Sequence, residues 1–140
     1  AAGGAGATPP AVAAAGGDFR ASLHAASHAV LNVLPAYVLC TPGDAGTECD
    51  HPADTRYRHE RLLVYDRIAG GSGLAAQVAV LFGQLLQAAL ELVEACGCGL
   101  PGGCPGCVHH LQCDEYNAVL DRAGAVEVLR AVISAEEAAR

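Results

Sequence analysis

Residues 96–113 read CGCGLPGGCPGCVHHLQC and gather five of the chain's seven cysteines into one short stretch. Cys96-Gly-Cys98 is a C-x-C pair and Cys104-Pro-Gly-Cys107 is a C-x2-C pair. Zinc takes four nitrogen or sulfur ligands in a tetrahedron, and a closed set of four cysteines marks a structural site rather than a catalytic one. Glycine inside each pair lets the backbone turn so that both sulfurs face one point. The linking residues GLPGG carry the turn chemistry of a sharp reversal. Cys96, Cys98, Cys104 and Cys107 are the favoured ligands. Cys113 is a replacement for a member of the first pair, and His109 and His110 are close enough in sequence to compete. The preceding helix end does not favour thiolates, because its last carbonyls are partly negative. The metal's charge and amides of the glycine-rich turn must do so instead.

Other groups invite chemistry less strongly. His24 and His28 lie four apart, a spacing that can hold a metal on a helix. With no acidic neighbour in sequence, they are expected to form a polar helix face or to pack with their hydrogen bonds satisfied. Cys40 and Cys49 flank a loop with His51 nearby; a packed thiol and a loop cysteine are the expectation there. Tyr65–Gly73, YDRIAGGSG, has the strand–turn–helix order that can hold an anion on free amides. It lacks the GxGxxG spacing and any P-loop lysine, so a turn needing left-handed backbone is expected, with Asp66 as a satisfied buried carboxylate orienting it. Arg56, Arg58, Arg61 and Arg67 are interleaved with Asp54, Glu60 and Asp66, as on a solvated, ion-paired surface. No nucleophile–base–acid order and no open metal site stands out.

The elements that must position the cysteines follow from periodicity. Residues 1–17 are Ala/Gly/Pro-rich and uncharged, the composition of a flexible linker, which leaves 18–140 as the folding unit. Asp18 is expected to cap a helix running to about Val33, with Phe19, Leu23, Ala26, Val30, Leu31 and Leu34 at helical spacing. Pro35 ends it. Ala36–Leu39 is expected to be a short buried strand, residues 41–60 a loop, and Arg61–Ile68 a second strand. After the glycine turn comes the longest helix, Leu74 to about Ala95, with an apolar stripe of Leu74, Val78, Leu81, Leu85, Ala89, Leu92 and Cys96. Gln77, Gln84, Gln87, Glu91 and Glu94 interrupt it too often for a transmembrane span. Asp121 caps a last helix that turns Val126, Leu129, Val132 and Ile133 inward. The fold class is α+β: three main helices packed on a small sheet, with the four-cysteine turn after the longest helix fastening it to the last one.

Composition agrees with a need for a metal clamp. Hydrophobic residues make up 52% of the 140 positions, but much of that is alanine; aromatics are 4%, and Met and Trp are absent. The net charge is −7, with all eight basic residues arginine, which argues against field-driven binding to nucleic acid. An odd cysteine count cannot be fully paired, and the first residues have no secretion-signal pattern, so reduced cysteines in an intracellular compartment are expected.

Three stretches together resemble the MrfA-type zinc-binding domain, found at the C-terminus of a group of superfamily 2 DNA helicases. They are LHAASHAVLNVLPAYVLC (23–40), LLVYDRIAGGSGLA (62–75) and CGCGLPGGCPGCVHHLQCDEYNAVLDRAGAVEVL (96–129), in family order. The family usually has proline where Ala69 stands. CDHPADTRY (49–57) resembles the eukaryotic branch, the RecQ-like repair helicases. The resemblance implies zinc on the C-x-C and C-x2-C cysteines, and a parent motor that unwinds DNA 3′ to 5′ with ATP. The 140 residues hold no GxxxxGK[ST] loop and no DEAD/DEAH-type acidic motif, so ATP would bind only elsewhere in the parent. The expected role is a C-terminal accessory domain of a DNA repair helicase, not itself an enzyme, supporting the motor core or guiding DNA. Its expected partners are the motor domains of the same protein and DNA in the assembled helicase, with no membrane. Its location would be nuclear in a eukaryote and cytoplasmic in a bacterium. A stand-alone zinc-dependent protein-interaction module is the alternative, and a thiol redox protein a distant third.

Overall fold

The structure, a computed structural model, describes residues 19–47 and 63–140. The element order is α1 (Phe19–Val33), a 3-10 turn (Leu34–Ala36), β1 (Ala45–Thr47), β2 (Val64–Asp66), α2 (Leu74–Ala95) and α3 (Arg122–Ala138). The three helices pack on one another, α1 against both α2 and α3, and the two strands form a small antiparallel sheet. This is the α+β arrangement that the periodicity predicts. Residues 1–17, Asp18, Cys49, His51 and the arginines at 56, 58 and 61 lie outside the described residues.

The core is made of small aliphatic side chains. Ala25, Ala26, Ala29 and Val30 of α1 meet Leu85, Leu86, Ala89 and Val93 of α2 and Ala125, Val128 and Leu129 of α3, all buried. Alanine-rich faces let helix axes approach closely. The tightest approach is between α1 and α3, where a Cβ added at Gly124 would lie 1.8 Å from Ser22 Oγ. Asp121 caps α3 as expected: its side chain accepts the Gly124 amide at 2.9 Å.

By length and composition alone α2 could cross a membrane. Its second half instead buries Leu85, Leu86, Ala89 and Val93 as a core helix does, and its three glutamines and two glutamates face outward.

Two local expectations need correction. Ala36–Leu39 is not a strand. Pro35 does end the α-helix, but it sits at the start of a further helical turn, where its missing amide costs nothing. The Tyr37 and Val38 amides bond to Leu34 O at 2.9 and 3.0 Å, and Leu39 is fully exposed. The first strand lies instead at Ala45–Thr47, inside the stretch expected to be a loop. It pairs Ala45 with Asp66, Gly46 with Tyr65 and Thr47 with Val64. Glycine at 46 permits this: a Cβ there would come within 2.6 Å of the Tyr65 ring. The second strand spans only Val64–Asp66 of the Arg61–Ile68 run.

β2 feeds α2 through a turn with Gly70, Gly71 and Gly73 all at positive φ, the left-handed backbone expected there. Asp66 holds this turn, accepting from Ser72 Oγ at 2.8 Å and from the Leu74 amide at 3.1 Å. The Ser72 hydroxyl, followed by the turn's amides, lowers the Asp66 pKa. The carboxylate is half-buried rather than buried.

Candidate metal centre

α2 ends at Ala95, and Cys96 leaves it in extended backbone at φ −70°, ψ 121°. The chain then reverses through Gly99 and Gly103, both at positive φ. This reversal brings Cys96, Cys98, Cys104 and Cys107 together, with all four sulfurs within 4.8 Å of one another. Cys96 Sγ is 3.5 Å from Cys104 Sγ, which is 3.9 Å from Cys107 Sγ. Sulfurs bonded to one zinc at about 2.3 Å and set tetrahedrally lie roughly 3.8 Å apart, so the spacing fits that ion.

The backbone around the sulfurs fits a bound cation as well. The Cys104 amide donates to Cys107 Sγ and the Gly106 amide to Cys104 Sγ, each at 3.3 Å. Such bonds stabilise thiolates, as the turn chemistry leads one to expect. The Cys98 backbone amide, then the Cys104 thiol, lowers the Cys96 pKa to about 7. The Cys104 thiol is pushed up to about 11, chiefly by Cys96. Gly103 has no room for a side chain: an added Cβ would lie 2.2 Å from Val108 Cγ2 and 3.1 Å from Cys107 Sγ.

Sequence reasoning missed one residue here. Arg122, the first residue of α3, donates through Nη2 to Val93 O at 2.7 Å and to Cys96 O at 2.5 Å. It satisfies the last carbonyls of α2 and places positive charge beside the cysteine cluster. Its backbone amide bonds to Pro101 O at 2.9 Å, so it also grips the cysteine turn. The signal was available: a cation in the first turn of a helix opposes that helix's own dipole and so has another use.

The remaining candidates lie apart from the four sulfurs. His109 Nε2 donates to Gly102 O at 3.2 Å. Asn32 of α1 donates to Cys107 O and His109 O, both at 2.8 Å, tying the knuckle to the first helix. Cys113 is buried beside α1, its sulfur 3.5 Å from His24 Nε2. His24 and His28 are not a polar surface: they are 3% and 0% exposed. Their Nδ1 atoms donate to Val119 O and Val108 O, both at 2.8 Å. Burial lowers the pKa of both, that of His28 to about 3 with His24 as the next cause.

Comparison with known proteins agrees with this geometry. The MrfA Zn-binding domain family matches residues 26–108. The chain is 31% identical over 125 residues to the ATP-dependent helicase HRQ1 of Saccharomyces cerevisiae, covering 83% of the chain and 11% of the helicase. It is likewise 31% identical to the ATP-dependent helicase hrq1 of Schizosaccharomyces pombe, covering 81% of the chain and 12% of that protein. The chain therefore spans about a tenth of the length of these curated relatives. An uncharacterized protein of Methanocaldococcus jannaschii is 25% identical, and the match spans 80% of the chain and 100% of that protein. No solved structure matches the chain.

Proposed function

The chain belongs to the MrfA Zn-binding domain family, and on that premise we propose that it is the structural zinc-binding accessory domain of an ATP-dependent DNA helicase. Cys96, Cys98, Cys104 and Cys107 are the zinc ligands in this reading. The observation that carries it is the convergence of four sulfurs, at spacings a tetrahedral ion fits, at the junction of α2 and α3. Bound zinc supplies a cross-link there and no reaction, because four protein ligands leave no open position.

In the finer form of the proposal, the parent translocates 3′ to 5′ in DNA repair, and this domain sits C-terminal to its motor. It braces the motor core or guides the strand. The first half of α2 supports a docking role, since Ala76, Ala79 and Val80 are exposed there, Val80 at 84%. An intracellular location, nuclear in a eukaryote or cytoplasmic in a bacterium, suits the free cysteines Cys40, Cys96, Cys98, Cys104, Cys107 and Cys113. The second reading is a stand-alone zinc-dependent interaction module. The archaeal relative matched over its whole length favours it.

Cys104→Ser tests the zinc assignment. We expect loss of bound zinc and a lower melting temperature; unchanged zinc content and melting would overturn it. Unwinding of 3′-tailed duplexes by the parent protein, weakened by the same substitution, tests the accessory role. A parent with full activity after Cys104→Ser would leave the stand-alone reading.

A further inference from the structure

Apart from the four-cysteine cluster, a second set of potential ligands meets inside the fold. His24 and His28 stand one turn apart on α1, ring centroids 4.3 Å from each other, and Cys113 reaches them from the loop before α3. All three are buried, and one ligand atom from each lies within 4.8 Å of the other two. The His24 Nε2–Cys113 Sγ distance is 3.5 Å. Zinc bonded to sulfur at about 2.3 Å and nitrogen at about 2.05 Å, at the tetrahedral angle, sets those two atoms roughly 3.5 Å apart.

The imidazoles are also oriented as ligands. Carbonyl oxygens only accept, so the bonds to Val119 O and Val108 O place a proton on Nδ1 of each ring. In a neutral imidazole the lone pair is then on Nε2. A second hydrogen bond that fixes the tautomer and the ring plane is the usual support behind a metal-binding histidine. His110 packs next to His28, ring centroids 5.6 Å apart, and its buried Nε2 has no hydrogen-bond partner among the described residues.

We propose that His24, His28 and Cys113 bind a second zinc ion. Two imidazoles and one thiolate are ligands that zinc accepts, and here all three are buried. This ion clamps the loop between the four-cysteine turn and α3 onto α1. The two sites would then pin the start and the middle of that loop.

Zinc analysis with X-ray absorption on the full chain, equilibrated with a slight excess of Zn2+, tests this independently of the first site. The four-cysteine cluster contributes only sulfur, so nitrogen scattering reports the second site. We expect about two zinc ions per chain and a mixed sulfur and nitrogen shell. Cys113→Ser and His28→Gln should each reduce the content to about one zinc with an all-sulfur shell. One zinc with only sulfur donors in the unsubstituted chain would overturn the proposal, and that measurement stands even if a variant fails to fold. Nitrogen scattering that persists in both variants would overturn it too.

Discussion

Glycine does different work at neighbouring positions of the cysteine turn. Gly103 has φ +74° and an added Cβ would run into Val108 and Cys107, whereas Gly97 has open space around it. Left-handed backbone alone costs a non-glycine residue about 1–3 kcal/mol. Gly103→Ala should therefore lower stability by at least that much and weaken zinc affinity, while Gly97→Ala should do neither. Denaturant unfolding of the two variants, with zinc competition by a chromogenic chelator, checks the contrast. The buried histidines make a second prediction at this scale. Burial lowers the pKa of His24, His28 and His110 in the folded chain, that of His28 from 6.5 to about 3. Below pH 6.5 the unfolded chain takes up protons that the folded one refuses, so stability falls as the pH drops from 6.5 toward 3. Proton competition with a bound metal acts in the same direction. Thermal unfolding between pH 7.5 and 4 should show a falling midpoint; a flat profile would mean that these rings are not held neutral.

The cysteine turn gains its rigidity from the two helix ends that it joins. Arg122 belongs to the start of α3 yet satisfies carbonyls at the end of α2, and its amide holds Pro101 O. Hydrogen bonds to charged groups contribute about 1.5–3 kcal/mol each when a partner is removed from a partly buried site. Arg122→Ala removes two such bonds and should destabilise the fold by at least the amount of one, and speed amide exchange in the last turn of α2. Unchanged exchange there would show that the cysteine turn holds the helix end unaided. The elements were legible in proportion to how local their causes are. The periodicities of α1, α2 and α3, the Asp121 cap and the glycine turn before α2 are all set within a few residues. The four-sulfur cluster spans only Cys96 to Cys107 and was equally legible. Ala45–Thr47 was not, because three small residues become a strand only by pairing with Val64–Asp66 across the chain. Nor was the meeting of Cys113 with His24, which lie 89 positions apart. Helical spacing fixes which residues share a face, but not what tertiary packing sets against that face.

At the scale of the molecule, a small-residue core and a metal clamp belong together. A chain without Met or Trp, and with aromatics at 4%, has little large apolar surface to bury, so helix–helix contacts built on alanine need a cross-link to hold their geometry. Structural zinc contributes about 10–16 kcal/mol of apparent binding energy in small zinc peptides at neutral pH, comparable to the whole stability of a domain. The four-cysteine site sits where α2, α3 and, through Asn32, α1 are all attached, so zinc binding and folding should be one equilibrium. The most direct measurement is thermal unfolding followed by circular dichroism, before and after metal is stripped by a strong chelator under reducing conditions. The stripped chain should lose its cooperative transition and regain it on adding Zn2+. A stripped chain, verified free of metal, that unfolds with an unchanged cooperative midpoint would contradict this.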